Sequence, residues 1–401
     1  MRAREFVALL ALTLISGAMA TDLLVPAVRR IDRDIVAIGE SSGRMALIAF
    51  LFGVGCLQCF FGPLADRLGR RPIFLMGTAL FVFGALLVSQ ASDANWLVLA
   101  RWTQGVGTGA MRVAIYAVAR DRCHDGGLAR LFSLAMALLL LEPIVAPLLG
   151  QYLLDVGSWR DSSNLLALIG LVVLVWSGAR LDESQPRPCA CAETQLSAFH
   201  AYRRILRHRP ALGSMLAYGM VTGAHVGFLT SAQAIFQGTY AASERFVPLL
   251  AFVCAFTAVA AILNARLVCR VGSWRLVRIG LLVQVGVSLV GVLALRCQSL
   301  GLLEFTLIAC GNLAAMGLLV PNLTALSLQP FADTAGAAAA LFGSVTMLLS
   351  AVLGLSIGRS FDGSAGPLLE AYALLGCAAL LLVEWRREEP AVSSAAPANV
   401  K

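Results

Sequence analysis

The stretch Gly62-Pro63-Leu64-Ala65-Asp66-Arg67-Leu68-Gly69-Arg70-Arg71 decides the fold. It lies between two apolar segments, 45–61 and 73–88. A stretch with one acid and three arginines cannot lie in hydrocarbon, so we predict a hairpin loop of these ten residues at a membrane face. The arginines favour the cytoplasmic face. Gly62 and Gly69 allow a sharp turn, and Asp66 is expected to cap a helix or pair with an arginine.

The composition is that of an integral membrane protein. The 401 residues are 59% hydrophobic and 13% charged, with a mean hydropathy of +0.80, whereas about a quarter of a soluble protein is charged. The net charge of +8 comes from basic residues that fall mostly in segments predicted to face the cytoplasm. This positive-inside pattern argues against a nucleic-acid partner.

Apolar segments long enough to span a bilayer recur twelve times. They are 5–28, 44–63, 73–91, 95–118, 130–153, 163–180, 211–236, 246–267, 275–296, 300–325, 334–358 and 365–385. An even number of spans puts both termini on one side, and Arg2, Arg4, Arg386 and Arg387 place that side in the cytoplasm. We therefore predict an all-α membrane protein of twelve transmembrane helices, located in a bacterial inner membrane.

A polar linker at 181–210 divides the spans into two groups of six. We predict one six-helix bundle at 1–180, a second at 211–387 and a cytoplasmic tail at 388–401. The segment 196–208 is expected to form an amphipathic surface helix. The segment 266–278 (RLVCRVGSWRLVR) echoes the quoted stretch at the same place in the second half, keeping a glycine and arginines but losing the acid.

Neither a metal site nor catalytic machinery is expected. Most of the ten cysteines lie in apolar runs and are interpreted as small buried hydrophobic residues. Cys189 and Cys191 lie near His200 but lack a fourth ligand, so we predict no metal and no cofactor. The sequence contains no metalloprotease or nucleophile-elbow motif, which argues against an enzyme, and a tail of this length is short for a nutrient sensor.

Ionisable residues inside spans are functional candidates by default. Asp22 lies 17 residues after Glu5 and Arg101 lies 17 residues before Val118, so both are roughly 25 Å from the cytoplasmic end. Equal depth predicts an ion pair that faces a shared cavity, in which Asp22 alternates between ionised and protonated forms. A static structural pair, or an Asp22 that caps a helix break before Pro26, is the alternative.

Two further charged residues and one histidine complete the candidates. Arg112 and Glu142 differ in height by roughly 9 Å, so they could pair, or Glu142 could reach Arg101 from below. His225 is either a core histidine or part of a binding surface. With Gln104, these side chains are expected to line a cavity between the halves. Pro143 and Pro147, followed by Gly150, predict a pliant fifth span, although packing geometry explains them equally well.

The quoted stretch resembles the signature loop of the major facilitator superfamily, whose transporters consist of two six-helix bundles related by an axis along the membrane normal. Other stretches resemble its bicyclomycin/chloramphenicol-resistance (Bcr/CflA) branch of twelve-span drug exporters. These are TDLLVP at 21–26, RWTQG at 101–105 with VARD at 118–121, APLLG at 146–150 with GSWR at 157–160, and Pro321-Asn322 with Ala335-Gly336.

The resemblance implies export of drug-like molecules powered by proton entry, with no cofactor beyond the proton gradient. It implies that Asp22 is the membrane acid and Arg101 its partner, and that Pro147 and Gly150 belong to the antiporter-type fifth-span motif. Asp66, Arg67, Arg70 and Arg71 would latch the cytoplasmic side in one state. Glu142 and Arg112 depart from the family pattern, so a siderophore or other polar metabolite remains an alternative cargo, and an uptake symporter an alternative function. We expect a monomer surrounded by lipid.

Overall fold

The structure, a computed structural model, describes residues 1, 3–35, 41–122, 126–183, 193–297 and 300–384. All regular structure in these residues is helical. The α-helices are α1 (Ala3–Asp22), α2 (Val28–Asp34), α3 (Ser42–Leu68), α4 (Arg70–Ser89), α5 (Ala94–Arg122), α6 (Gly126–Val156), α7 (Trp159–Arg180), α8 (Glu193–Arg207), α9 (Arg209–Gln233), α10 (Phe246–Val271), α11 (Ser273–Cys297), α12 (Leu302–Leu328), α13 (Ala335–Arg359) and α14 (Gly366–Glu384). The predicted tail at 388–401 lies outside the described residues.

Ten helical segments among the described residues are long and apolar enough to cross a membrane. They coincide with ten of the twelve predicted spans, so a multi-pass helical membrane protein is confirmed. The other two predicted spans fall on α5 and α6, which have 29 and 31 residues. That α5 and α6 also cross the membrane, and that both termini face the cytoplasm, stay predictions.

The predicted ten-residue hairpin is wrong. Helix α3 continues through Leu68 and α4 begins at Arg70, so the turn consists of Gly69 alone. Its φ of +97° is a conformation that favours glycine. Residues 64–68 contain no helix breaker and extend α3 up to this glycine. We call the end of the molecule that carries Gly69 the motif end, and the opposite end, where α1 stops, the Pro26 end.

The second half repeats this turn. Gly272 separates α10 from α11, with a φ of +85° and ψ of +146°, close to the +97° and +154° of Gly69. Both glycines donate their N–H to the carbonyl four residues earlier, that of Ala65 at 3.1 Å and of Val268 at 2.9 Å. The segment 266–278, which weakly resembles the stretch 62–71 in sequence, therefore repeats the backbone conformation of its glycine turn.

Helix α8, in the linker, docks on a backbone group that proline leaves unpaired. Pro63 lies inside α3 and has no N–H for the carbonyl of Cys59 four residues earlier. The Tyr202 hydroxyl of α8 donates to that carbonyl at 2.6 Å. The N–H of Cys59 donates to Oγ of Ser344 in α13 at 2.8 Å. Linker, first half and second half therefore meet at this point.

The helices on either side of the linker pack mainly on one another. The α5 helix packs between α3 and α4, and α9 packs on α12, α13 and α14. The two sides meet where α3 packs on α13 and α6 packs on α10. One continuous apolar cluster contains residues of both sides, including Leu24 and Leu47 before the linker and Phe228 and Tyr372 after it.

Candidate functional site

The site begins at a break in the first predicted span. Helix α1 ends at Asp22, a 3-10 turn follows at Val25–Ala27 with Pro26 inside it, and α2 resumes at Val28. The last carbonyls of a helix have no partner within it. Here the carbonyl of Met19 accepts from the N–H of Leu23 at 3.0 Å. The carbonyl of Ala20 accepts its hydrogen bond from a side chain instead.

Arg101 supplies that side chain. Its Nη2 donates to the Ala20 carbonyl at 2.7 Å, its Nε to the Ala46 carbonyl at 3.2 Å, and its Nη1 to Oε1 of Gln104 at 2.6 Å. The guanidinium also lies 4.5 Å from the ring centroid of Phe50 and is fully buried. A cation at the carbonyl end of a helix is favoured by the helix dipole. The charge of Arg101 is therefore compensated by backbone, amide and ring.

The predicted ion pair between Asp22 and Arg101 is wrong for this structure. Among the described residues no ion pair joins Asp22 or Glu142 to an arginine. Asp22 is the last residue of α1, and Glu142 lies in α6, which packs on α1 and on α10. Glu142 is 7% exposed, and its Oε1 has no hydrogen-bond partner in the described chain. Two acids therefore lie on packed helices of the first half, next to the place where α6 meets the second half.

The remaining candidates form no ion pair with the acids among the described residues. Arg112 lies in α5 and does not pair with Glu142 there. His225 stacks on Phe228 with 6.3 Å between ring centroids. Its Nδ1 is buried and without a partner in the described residues, so it is not a hydrogen-bonded core histidine. Gln104 is fully buried and holds Arg101, so it does not line an open surface in this structure.

The fifth predicted span is one helix that runs through both prolines. Pro143 and Pro147 lie inside α6 and do not end it. Gly150 faces the carbonyl of Leu23, and a Cβ at this position would overlap that carbonyl. The glycine therefore lets α6 pack directly on the backbone of the α1 break. Packing is thus an evident role for Gly150.

The signature residues are held by an acid that the sequence did not indicate. Both carboxylate oxygens of Glu183 accept from α4, one from the N–H of Arg70 and one from that of Arg71, each at 3.0 Å. A carboxylate at a helix N-terminus is favoured by the unpaired N–H groups and the dipole. A Cβ on Gly69 would lie 2.7 Å from the carboxylate of Glu183.

The arginine side chains of this motif reach neighbouring helices. Nη1 of Arg70 donates to the Ala117 carbonyl in α5 at 2.8 Å, and Nη2 of Arg71 donates to the Gly178 carbonyl in α7 at 2.7 Å. Asp66 lies 4.0 Å from Arg70, one turn away. Arg67 is half-buried in the last turn of α3. Gly62, earlier in the same helix, is also half-buried. These bonds tie the motif to the first half, and its predicted role as a latch stays a prediction.

A second unforeseen contact joins the halves at the Pro26 end. Gln233, the last residue of α9, is 6% exposed. Its Nε2 donates to the Pro26 carbonyl at 2.8 Å and its Oε1 accepts from the N–H of Arg29 at 2.9 Å. Arg44, at the start of α3, donates to the Gly358 carbonyl in α13. These bonds, here called the Pro26 clamp, hold the two halves together at this end.

No metal centre is evident in the described chain, where no three His, Cys, Asp or Glu side chains are grouped to hold an ion. Cys189 and Cys191 lie outside the described residues. Sequence reasoning missed Glu183 and Gln233 as site residues. Glu183 lies three residues after the end of α7, and Gln233 is the last residue of α9. A polar residue near a helix end is a weak signal.

Residues 6–355 match the Major Facilitator Superfamily. The chain is 23% identical to a bicyclomycin resistance protein homolog of Haemophilus influenzae over 87% of each chain. It is 25% identical to the multidrug resistance protein MdtL of Klebsiella pneumoniae, over 93% of this chain and 95% of that protein. These similarities confirm the resemblance to the bicyclomycin-resistance branch.

Solved structures share the fold. A D-xylose–proton symporter superimposes with a TM-score of 0.73 at 18% identity, over 94% of this chain and 97% of the other. The human organic anion transporter MFSD10 gives a TM-score of 0.68 at 16% identity, over 96% and 99%.

Proposed function

The chain belongs to the Major Facilitator Superfamily, and from this premise we propose that it exports small amphiphilic molecules from a bacterial cell in exchange for protons. The family consists of transporters, so the chain is a multi-pass transporter and not an enzyme. The proposed location is the inner membrane, with both termini in the cytoplasm. The proposed partners are protons, a small-molecule cargo and the surrounding lipid, and the proposed working unit is the monomer.

The observation that carries the proposal is the pair of acids between the halves. Asp22 ends α1 and Glu142 lies in α6, and α6 packs both on α1 and on α10 of the second half. No arginine neutralises either acid among the described residues. Ionisable groups at such a depth are costly and mark ion or substrate pathways. Two carboxylates on packed helices repel each other when both are charged, and burial disfavours the charged form, so one of them is suited to carry a proton.

A transport cycle follows from this arrangement. When the halves separate at one end, water reaches the acids and a proton is exchanged. When that end closes around protonated acids, the cost of burying charge is lowered and the opposite end is free to open. Protons entering from outside and cargo leaving from inside would then occupy the acids in turn.

The direction of transport is supported by the relatives. The bicyclomycin resistance protein homolog and MdtL are named for drug resistance. Resistance is the property that export confers. Bicyclomycin is therefore the first cargo to test, beside metabolites such as siderophores secreted by the host cell.

The experiment uses the full chain reconstituted into liposomes, with bicyclomycin at equal concentration on both sides and an imposed proton gradient that is acidic outside. We expect inward proton flow to drive bicyclomycin out against its own gradient. Asp22→Asn should abolish this coupled flux while leaving protein levels and the unfolding temperature unchanged. The control is Asp155→Asn, because Asp155 is an exposed acid of α6 bonded only to Gln151 in the described residues.

Two results would overturn the proposal. Movement of cargo in the same direction as protons would identify an uptake symporter instead. Undiminished coupled flux in Asp22→Asn would show that Asp22 does not carry the proton.

A further inference from the structure

The turn between α10 and α11 repeats the backbone of the Gly69 turn but lacks its acid. In the first half the N–H groups of Arg70 and Arg71 donate to the two carboxylate oxygens of Glu183, each at 3.0 Å. A Cβ on Gly69 would lie 2.7 Å from that carboxylate, whereas a Cβ on Gly272 would have no atom of the described chain within 4 Å. The first turn of α11 contains no acidic residue. The second turn is therefore open where the first one holds an anion.

Exposed arginines surround this open turn. Arg270 lies two residues before its glycine and Arg275 three residues after it, and Arg266 lies about one helical turn before Arg270. All three are exposed, and none of them forms an ion pair with another described residue. Arg278, further along α11, pairs with Glu384 at 3.1 Å. The arginines of the first-half motif instead donate to carbonyls of α5 and α7. Three positive charges at the second turn thus face outward without an acid from the described chain.

Aliphatic side chains continue the same two helix faces toward the middle of each helix. Positions i, i+3, i+4 and i+7 of a helix share one face. Two exposed faces follow this spacing, one on α10 and one on α11: Leu263, Arg266, Leu267 and Arg270, and Arg275, Arg278, Ile279 and Leu282. At the helical rise, the arginines lie within roughly 9 Å of Gly272 along the helix, and the aliphatic residues extend to roughly 15 Å from it.

This order of groups fits a phospholipid. Both helices are long and apolar enough to cross a membrane, so their exposed faces meet lipid. Guanidinium groups form charge-assisted hydrogen bonds with phosphate oxygens. A free phosphate would use the arginines and leave the four aliphatic side chains, which are 39–51% exposed, uncovered. Acyl chains cover them, and clusters of basic residues at the end of a membrane helix attract anionic lipids.

We propose that the hairpin of α10 and α11 is a binding site for one anionic phospholipid. The phosphate bonds to Arg266, Arg270 and Arg275 and reaches the N–H groups at the start of α11. It supplies the negative charge that Glu183 supplies to the equivalent turn of the first half. The acyl chains pack along the two aliphatic faces. The site goes beyond the proposed export function, because it involves neither the cargo nor the acids of α1 and α6.

Native mass spectrometry of the full chain in detergent counts the lipids that remain bound. The chain is mixed with equal amounts of phosphatidylglycerol, which is anionic, and phosphatidylcholine, which is zwitterionic, both with the same acyl chains. We expect one phosphatidylglycerol to bind at least about tenfold more tightly than phosphatidylcholine, since each of the three arginines favours the anionic headgroup.

Two triple variants remove the same charge from opposite ends of the molecule. Each replaces three exposed arginines by glutamine: Arg266→Gln, Arg270→Gln and Arg275→Gln at the motif end, and Arg30→Gln, Arg33→Gln and Arg245→Gln at the Pro26 end as the control. We expect the variant at the motif end to lose at least about tenfold of the preference for phosphatidylglycerol. The control should keep the preference of the wild type.

A second measurement does not depend on any variant folding. Phenylglyoxal modifies exposed arginines, and peptide mass spectrometry follows the modification at each of them in the wild type. We expect phosphatidylglycerol, compared with phosphatidylcholine, to slow the modification of Arg270 and Arg275. Arg207 of α8 is also exposed but lies outside the hairpin, so it should react at the same rate in both lipids.

Equal binding of the two lipids by the wild type, or an equal loss of preference in the two triple variants, would overturn the assignment. Equal protection of Arg207 would mean that the lipid is attracted to any exposed arginine. Displacement of phosphatidylglycerol by glycerophosphoglycerol, its headgroup without acyl chains, would identify a site for free anions instead. A preference that appears only in Glu388→Gln, Glu389→Gln would mean that the acidic tail of the chain occupies the arginines.

Discussion

Replacing Gln233 by leucine should open the Pro26 end. Gln233 belongs to the half after the linker, and the two groups that it bonds, the Pro26 carbonyl and the Arg29 N–H, belong to the half before it. Both bonds can exist only while this end is closed. Leucine has a similar volume and an apolar side chain, so it fills the same space without making either bond.

The size of the effect follows from the two bonds. Each buried hydrogen bond contributes about 1 kcal/mol net. Losing both at 2.8 Å and 2.9 Å should therefore destabilise the closed state by about 2 kcal/mol relative to the open one. That free energy corresponds to a shift of about 30-fold in the ratio of closed to open molecules.

Hydrogen–deuterium exchange of the full chain in nanodiscs measures this ratio directly. Exchange of the Arg29 amide requires the clamp to open, so its rate should rise about 30-fold in Gln233→Leu. The control is Gln284→Leu, because Gln284 is equally buried but bonds within its own half, to the Tyr372 carbonyl. A rate for Arg29 within threefold of the wild type would refute the reasoning, as would an equal rise in the control.

Two further predictions concern the motif end. Gly69→Ala should lower the free energy of unfolding by about 1–2 kcal/mol more than Gly272→Ala, because both glycines have positive φ but only Gly69 lies against a carboxylate, that of Glu183. Thermal unfolding in detergent measures the difference, and equal losses would mean that Glu183 adds nothing. Tyr202→Phe should lower the free energy of unfolding by about 1–2 kcal/mol, because the Cys59 carbonyl loses its donor. It should also speed proteolysis of the linker. An unchanged cleavage rate would show that α8 does not dock through this bond.

The sequence predicted how deep Asp22 and Arg101 lie, but not the direction in which their side chains point. The helical rise placed Asp22 and Arg101 at the same height, and both do lie near the α1 break. A height says nothing about where a side chain points around its helix. Ending α1 at Asp22 frees the Ala20 carbonyl, and this nearer acceptor takes Arg101. Predicting that outcome requires knowing where the helix stops, which depends on tertiary packing around Pro26.

Positions fixed by the backbone were easier to predict than contacts between distant segments. Gly69 and Gly272 could be found because a tight turn needs glycine whatever surrounds it. Gln233 is separated by 204 residues from the amide that it bonds, and Glu183 by 113 residues from Arg70. Only the packing of whole helices decides such partners.

The α1 break links the acid site to the Pro26 clamp. Asp22 is the last residue of α1, and Pro26 and Arg29, which Gln233 holds, follow within two turns. The segment between them is short and buried, and α6 packs on it through Gly150. A proton that binds at Asp22 therefore acts on a segment that the clamp also holds. We expect proton binding at the acids to change how far the Pro26 end opens. This one short segment connects the two places, so the coupling does not need a longer pathway across the protein.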